Sequence, residues 1–156
     1  MSRARDLANF IGSPATTVSS NLPSGSDLQL ITVAPTTAQV NTTTNYADTG
    51  LTGNITPSST SNKILITASV GLQNSATNTG VNLKLLRDST KIWSGRGDDL
   101  VQYVSNQYMH VYVPVEYMDS PSTTSQITYK LQFQAFNGGT AYCQINSTMF
   151  LREIKV

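Results

Sequence analysis

The stretch at residues 118–133, MDSPSTTSQITYKLQF, joins two opposite kinds of sequence. Its first half is small, polar and turn-forming. Its second half alternates apolar and polar residues. Asp119, Ser120 and Pro121 read as a turn, because proline fixes the backbone where a chain reverses. Ile127, Tyr129, Leu131, Phe133 and Ala135 then fall on one face of an extended strand, with Thr128, Lys130, Gln132 and Gln134 on the other. A period of two with one apolar face is the mark of a half-buried strand.

The same pattern extends outward from this stretch. KILITASVGL (63–72) puts Ile64, Ile66, Ala68, Val70 and Leu72 on one face, and VNLKLL (81–86) does so with Val81, Leu83 and Leu85. Asp88 and Ser89 turn that strand into KIW (91–93), a hairpin. LQLITV (28–33), TGLTGNITP (49–57), QYMHVYVPVEYM (107–118), AYCQI (141–145) and STMFLREIKV (147–156) complete the set. Asn137, Gly138 and Gly139 mark a further turn. Short strands punctuated this often predict an all-β sandwich or jelly roll over residues 28–156. The last strand is apolar on both faces near its start, as a central strand would be.

Two N-terminal segments stand apart. In residues 1–12, Leu7, Phe10 and Ile11 share a helical face downstream of Arg3 and Arg5. These five residues are the expected docking contacts to a partner. Residues 13–27 read as a short linker, rich in Ser and Thr and broken by Pro14, Pro23 and Gly25. Neither a secretory h-region nor an apolar run of the ~20 residues needed to span a membrane as a helix is present.

Only 12% of the 156 residues are charged, and the formal net charge is +1. The ten basic residues are scattered. Nucleic-acid binders carry basic patches or stripes, so no nucleic-acid partner is expected, and no membrane insertion.

Chemistry finds little to work with. His110 is the single histidine and lies in mid-strand between tyrosines. One histidine and one cysteine, Cys143, fall short of the three or four N or S ligands of a zinc site. Asp98 and Asp99 lack the spacing of a calcium loop. No phosphate-cradling glycine motif occurs. We expect no enzyme and no cofactor. Two surfaces draw attention instead. Tyr108, His110 and Tyr112 lie on the second face of the 107–118 strand, where lysine and threonine would be ordinary. Aromatics with polar tips favour interfaces, so these three are the expected contacts to a sister subunit. Pro114 in the same strand implies an edge strand or a bulge there. The loop 94–100, with Arg96, Asp98 and Asp99, is the expected receptor-contact loop at one end of the sandwich. NSATNTG (74–80) is a second such loop.

The sequence DSPSTTS followed by ITYK (119–130) resembles the C-terminal knob domain of tail-fibre proteins from marine and freshwater bacteriophages. TGLTGNITPSSTSNKILI (49–66) is similar to that domain's early strand pair, LKLLRDSTKIW (83–93) to its central hairpin, and FLREI (150–154) to its closing strand. The resemblance covers about residues 46–156, and MSRARDLANF resembles segments of marine phage fibre proteins. It implies a jelly roll like that of tumour necrosis factor, assembling as a homotrimer on a virion, without catalytic residues. The chain departs from long fibres in having almost no shaft. That leaves a short fibre or spike knob, held to other virion proteins by its N-terminus after assembly in the host cytoplasm. It would touch the host surface, a glycan included. A capsid decoration knob with structural work and a free carbohydrate-binding module are the alternatives.

Overall fold

The computed structural model describes residues 22–96, 99–104 and 109–156. Among these residues, eleven antiparallel strands form two packed sheets: β1 (Asp27–Val33), β2 (Gln39–Asn41), β3 (Ala47–Ile55), β4 (Lys63–Asn74), β5 (Thr79–Arg87), β6 (Thr90–Ser94), β7 (Leu100–Val104), β8 (Met109–Asp119), β9 (Ile127–Phe136), β10 (Ala141–Cys143) and β11 (Thr148–Ile154).

The six-stranded sheet is organised on β4. One edge of β4 pairs with β8 from Ile64–Asp119 to Asn74–Met109. Its other edge is shared, with β11 against Lys63–Ser69 and β10 against Leu72–Asn74. β1 lies outside β11, and β2 outside β10. The second sheet runs β3-β9-β5-β6, with β7 continuing along the β6 edge of β5. With β6 and β7 taken together, and β10 and β11 likewise, this is a jelly roll.

The core lies where the two sheets face each other. Ile64, Ile66, Val70 and Leu72 of β4 meet Leu83 and Leu85 of β5, Leu131 and Phe133 of β9, and Leu151 of β11, all fully buried. The alternation that marks 126–136 as a strand is the burial pattern of β9, inward and outward by turns. Cys143 packs into this core, where burial pushes its thiol above the ordinary range.

Local geometry follows the turn residues. Ser122, one residue after Pro121, turns the chain with φ +54°. Asp88 takes φ +52° at the β5–β6 turn. Its N–H donates to Thr128 O at 2.7 Å, and its carboxylate accepts from Thr128 N–H at 3.0 Å, so the hairpin is tied to β9. Gly53 lets the sheets approach: a Cβ there would lie 2.7 Å from Val33 Cγ2.

Two buried carboxylates brace the sandwich. Asp119, ending β8, accepts from Arg87 Nη1 at 3.0 Å and from the Tyr129 hydroxyl at 2.6 Å. Glu153 of β11 accepts from Ser58 N–H and Asn62 Nδ2, both at 2.7 Å, from Ser58 Oγ at 2.8 Å and from Gln29 Nε2 at 2.5 Å. Burial pushes the Glu153 carboxyl up, but these donors outweigh it and hold its pKa below the usual range.

The structure revises several expectations. β2 and β7 are additional strands. β6 and β7 follow one another along the same edge of β5, with Ser94 beside Lys84 and Leu100 beside Asn82. The face of β8 opposite His110 and Tyr112 is not a fully buried row: Met109 is 44% exposed where the strand begins, and Val111, Val113 and Tyr117 are only half-buried. The end of the expected linker is also held: Gly25 N–H donates to Lys155 O at 2.7 Å, and Lys155 N–H to Ser26 O at 2.9 Å. Residues 1–12, with Arg3, Arg5, Leu7, Phe10 and Ile11, lie outside the described residues, as do Tyr108 and Asp98.

Candidate interaction surface

Alternation gives β4 an outward row of Leu65, Thr67, Ser69, Gly71 and Gln73, opposite its core row. Register then decides what stands beside each. Leu65 lies between Met118 of β8 and Arg152 of β11, and Arg152 in turn lies beside Leu30 of β1. Thr67 lies between Glu116 and Phe150. Gln73 lies between His110 and Tyr142, with Val40 of β2 beyond. Five strands thus place Leu30, Val40, Leu65, Tyr112, Met118 and Phe150 on one face. Leu30, Val40, Tyr112 and Met118 are 45–58% exposed.

Tyr112 and His110 stack, with ring centroids 5.9 Å apart and planes 28° apart. The Tyr112 ring lies over Gly71, its Cε1 3.1 Å from where a Cβ would stand. Thus the absence of a side chain at 71 lets the ring lie flat on the sheet. Charge on this face is sparse. Arg152 is paired with Asp27 across β1 and β11. β8 is an edge strand, with Pro114 inside it, as expected for a proline that cannot donate to a ladder.

The outer face of the other sheet is built differently. Tyr46 covers Lys84, whose Nζ lies 3.6 Å from the ring centroid, and donates its hydroxyl to Asp99 Oδ2 at 2.5 Å. Lys91 Nζ reaches Asp99 Oδ1 at 3.0 Å. Burial pushes the Asp99 carboxyl up, but the hydrogen bonds from Tyr46 and Lys91 more than offset it and keep its pKa low. Burial lowers Lys84 despite the nearby Asp99 charge, and raises the Tyr46 phenol together with the bond to Asp99. Elsewhere Lys130 and Gln132 both reach Asp48, at 3.4 and 2.6 Å, and Thr128 donates to Asn54 at 2.8 Å.

The expected site residues therefore separate. His110 and Tyr112 are brought together on the exposed face of β8. Arg96 is exposed just after β6, with φ +39°. The Asp99 side chain is turned toward Tyr46 and Lys91, so its carboxylate is engaged within the chain rather than reaching outward. Leu30, Val40, Leu65, Tyr142 and Phe150 were not singled out from sequence. The one signal among them was the doubly apolar start of the last strand, which includes Phe150. Among the described residues, no group of three or more His, Cys, Asp or Glu is placed to hold a metal.

No protein-family model matches the chain, and no curated protein does so at a significant level. Similar solved structures exist. A chain in the structure of infectious bursal disease virus, Gx strain, superposes with a TM-score of 0.53 at 11% identity, over 85% of this chain and 33% of that one. A chain of the Gt strain gives 0.51 at 8% identity, over 85% and 38%. Dimeric latent PorU from Porphyromonas gingivalis superposes more loosely, with a TM-score of 0.49 at 12% identity, over 86% and 13%. This chain thus spans only about a third of the length of the viral chains. At such identities the likeness is one of fold: the jelly roll here is also found in chains of a virus.

Proposed function

We propose that the chain is a non-enzymatic structural protein of a virus particle, a rigid jelly-roll knob that assembles as a homotrimer through the outer face of its six-stranded sheet. The observation that carries this reading is the set of apolar and aromatic side chains on that outer face, of which Leu30, Val40, Tyr112 and Met118 are exposed while Leu65 and Phe150 are partly buried. Folding of one chain does not need them there, and exposed large apolar groups gathered on one sheet face are what an interface would cover. The face is nearly neutral, so identical copies do not repel one another across it. The jelly roll shared with virus chains and the resemblance to phage fibre knobs point the same way. On this reading the host is a bacterium, the docking segment with Arg3, Arg5, Leu7, Phe10 and Ile11 grips another virion protein, and the knob touches the host surface.

Analytical sedimentation of the purified chain tests the assembly. A trimer at micromolar concentration is expected, and a clean monomer removes the proposal. Imaging of an intact particle tests the location: density at the tail supports the fibre or spike, whereas density on the shell supports a decoration protein. A free carbohydrate-binding module would be found on no particle.

A further inference from the structure

We propose that assembly through the outer face of the six-stranded sheet is controlled by pH, with His110 as the sensor. Copies hold together while its imidazole is neutral and separate when it gains a proton. This rests on the assembly reading above and adds regulation to the same face. His110 is exposed near the start of β8, on the outward side of the strand. Its ring stacks on that of Tyr112, which lies flat over Gly71, so the imidazole is part of the surface that a second copy would cover. By register it stands beside Gln73 of β4, with Tyr142 of β10 and then Val40 of β2 beyond. Gln73 in turn accepts from Gln144 Nε2 at 3.2 Å. β7 approaches the start of β8 through Gln102, whose Nε2 donates to Met109 O at 2.7 Å, and the titratable group it carries is Tyr103.

These neighbours offer a proton no compensation. Among the described residues, the titratable groups that these strands place around His110 are phenols, those of Tyr103, Tyr112 and Tyr142. Glu116, on the same side of β8, stands six residues away, about 20 Å along an extended strand. Arg152, paired with Asp27, is level with Met118 through Leu65, farther still. In the free protomer an imidazolium at 110 is solvated by water. Covered by a second copy, it would lose that water without gaining a counter-charge, and an unpaired buried charge is costly. Protonation and assembly therefore oppose one another, and assembly is favoured on the alkaline side of the range in which histidine titrates. The chain isolates this response. His110 is its single histidine. The buried Cys143 thiol is pushed up, and the Asp99 and Glu153 carboxyls are held low, so all three lie outside that range.

Sedimentation of the full chain at about pH 8 and about pH 5.5, on either side of the histidine range, tests the sensor. The association constant is expected to fall about tenfold or more on acidification, with a thermal melt at the lower pH that is still that of a folded chain. His110→Gln should keep the assembly and remove its pH dependence, which also separates His110 from the α-amino group. His110→Lys, charged at both values, should assemble weakly at both. The proposal is overturned by an association constant that stays the same, by one that rises on acidification, or by a fall that survives His110→Gln. A monomer already present at about pH 8 removes the assembly reading and this one with it. A trimer indifferent to pH removes this one alone.

Discussion

The two outer faces of this sandwich are made by the same alternation, yet they solve different problems. On the five-stranded sheet, outward polar groups find partners across strands: Lys91 with Asp99, Lys130 with Asp48, Thr128 with Asn54. On the six-stranded sheet, the outward positions carry Leu30, Val40, Tyr112 and Met118, which remain open to solvent. The first face is satisfied by its own chain. The second is left apolar and open, and would be covered in the assembly proposed above. The contrast separates what folding requires from what assembly requires.

If that separation is real, damage between the sheets should strike both faces together. Asp119→Ala has the largest expected effect. It removes the acceptor of the part-buried Arg87 and of the buried Tyr129 hydroxyl, and each hydrogen bond to a charged group of this kind contributes about 1.5–3 kcal/mol. Chemical denaturation should show the loss in one cooperative transition, with assembly lost at the same point. Fold loss without assembly loss would contradict the contrast.

Glu153 comes next. Its folded pKa is depressed, so the stability it contributes is present above the unfolded value of about 4.3 and is lost as pH falls through the lower folded value. The melting temperature should therefore drop on the acid side of about pH 4. Glu153→Gln should cost about 1–3 kcal/mol at neutral pH and flatten that acid slope, since an amide cannot titrate. An acid slope unchanged in the variant would assign it to other carboxylates, Asp99 first among them.

A smaller effect is expected on the satisfied face. Tyr46→Phe removes the hydroxyl that donates to Asp99 but keeps the ring over Lys84. About 1 kcal/mol should be lost on thermal unfolding, with the oligomeric state untouched.

Much of this architecture was legible in the sequence, because a period of two survives without any tertiary information. β4 and β9 carry five apolar residues each on one face, so their inward rows were readable directly. β2 was not, since Gln39–Asn41 has no such row and owes its conformation to pairing with Tyr142 of β10. β7 was hidden because Leu100–Val104 is short and is recognised only by its pairing beside β6 on the same edge of β5. The interaction face was only partly visible for a related reason. His110 and Tyr112 lie in one strand and can be seen together. Leu30, Val40, Leu65 and Phe150 lie in four others, and only register brings them beside one another. Asp99 misled in the opposite direction, since its sequence neighbours promise an exposed loop while Tyr46, 53 residues away, draws its carboxylate in.

Tyr112→Arg should disturb the fold least and divide the faces most cleanly. The residue is half exposed and lies over Gly71 without entering the core, so a surface change here should alter monomer stability by about 0.5 kcal/mol or less. In an assembly through this face the same change buries an unpaired charge in each subunit, and with three-fold symmetry it does so three times around one axis. That cost has no compensation, because Glu116, the nearest acidic residue on β8, stands four residues along the strand on an exposed position. Sedimentation should then give a folded monomer with an unchanged melting transition. Had the aromatic residues been incidental to a polar surface, the arginine would simply be solvated, and the oligomer would persist. A stable monomer produced by one outward side chain would instead mean that this face, unlike its counterpart across the core, is unfinished until a second copy covers it.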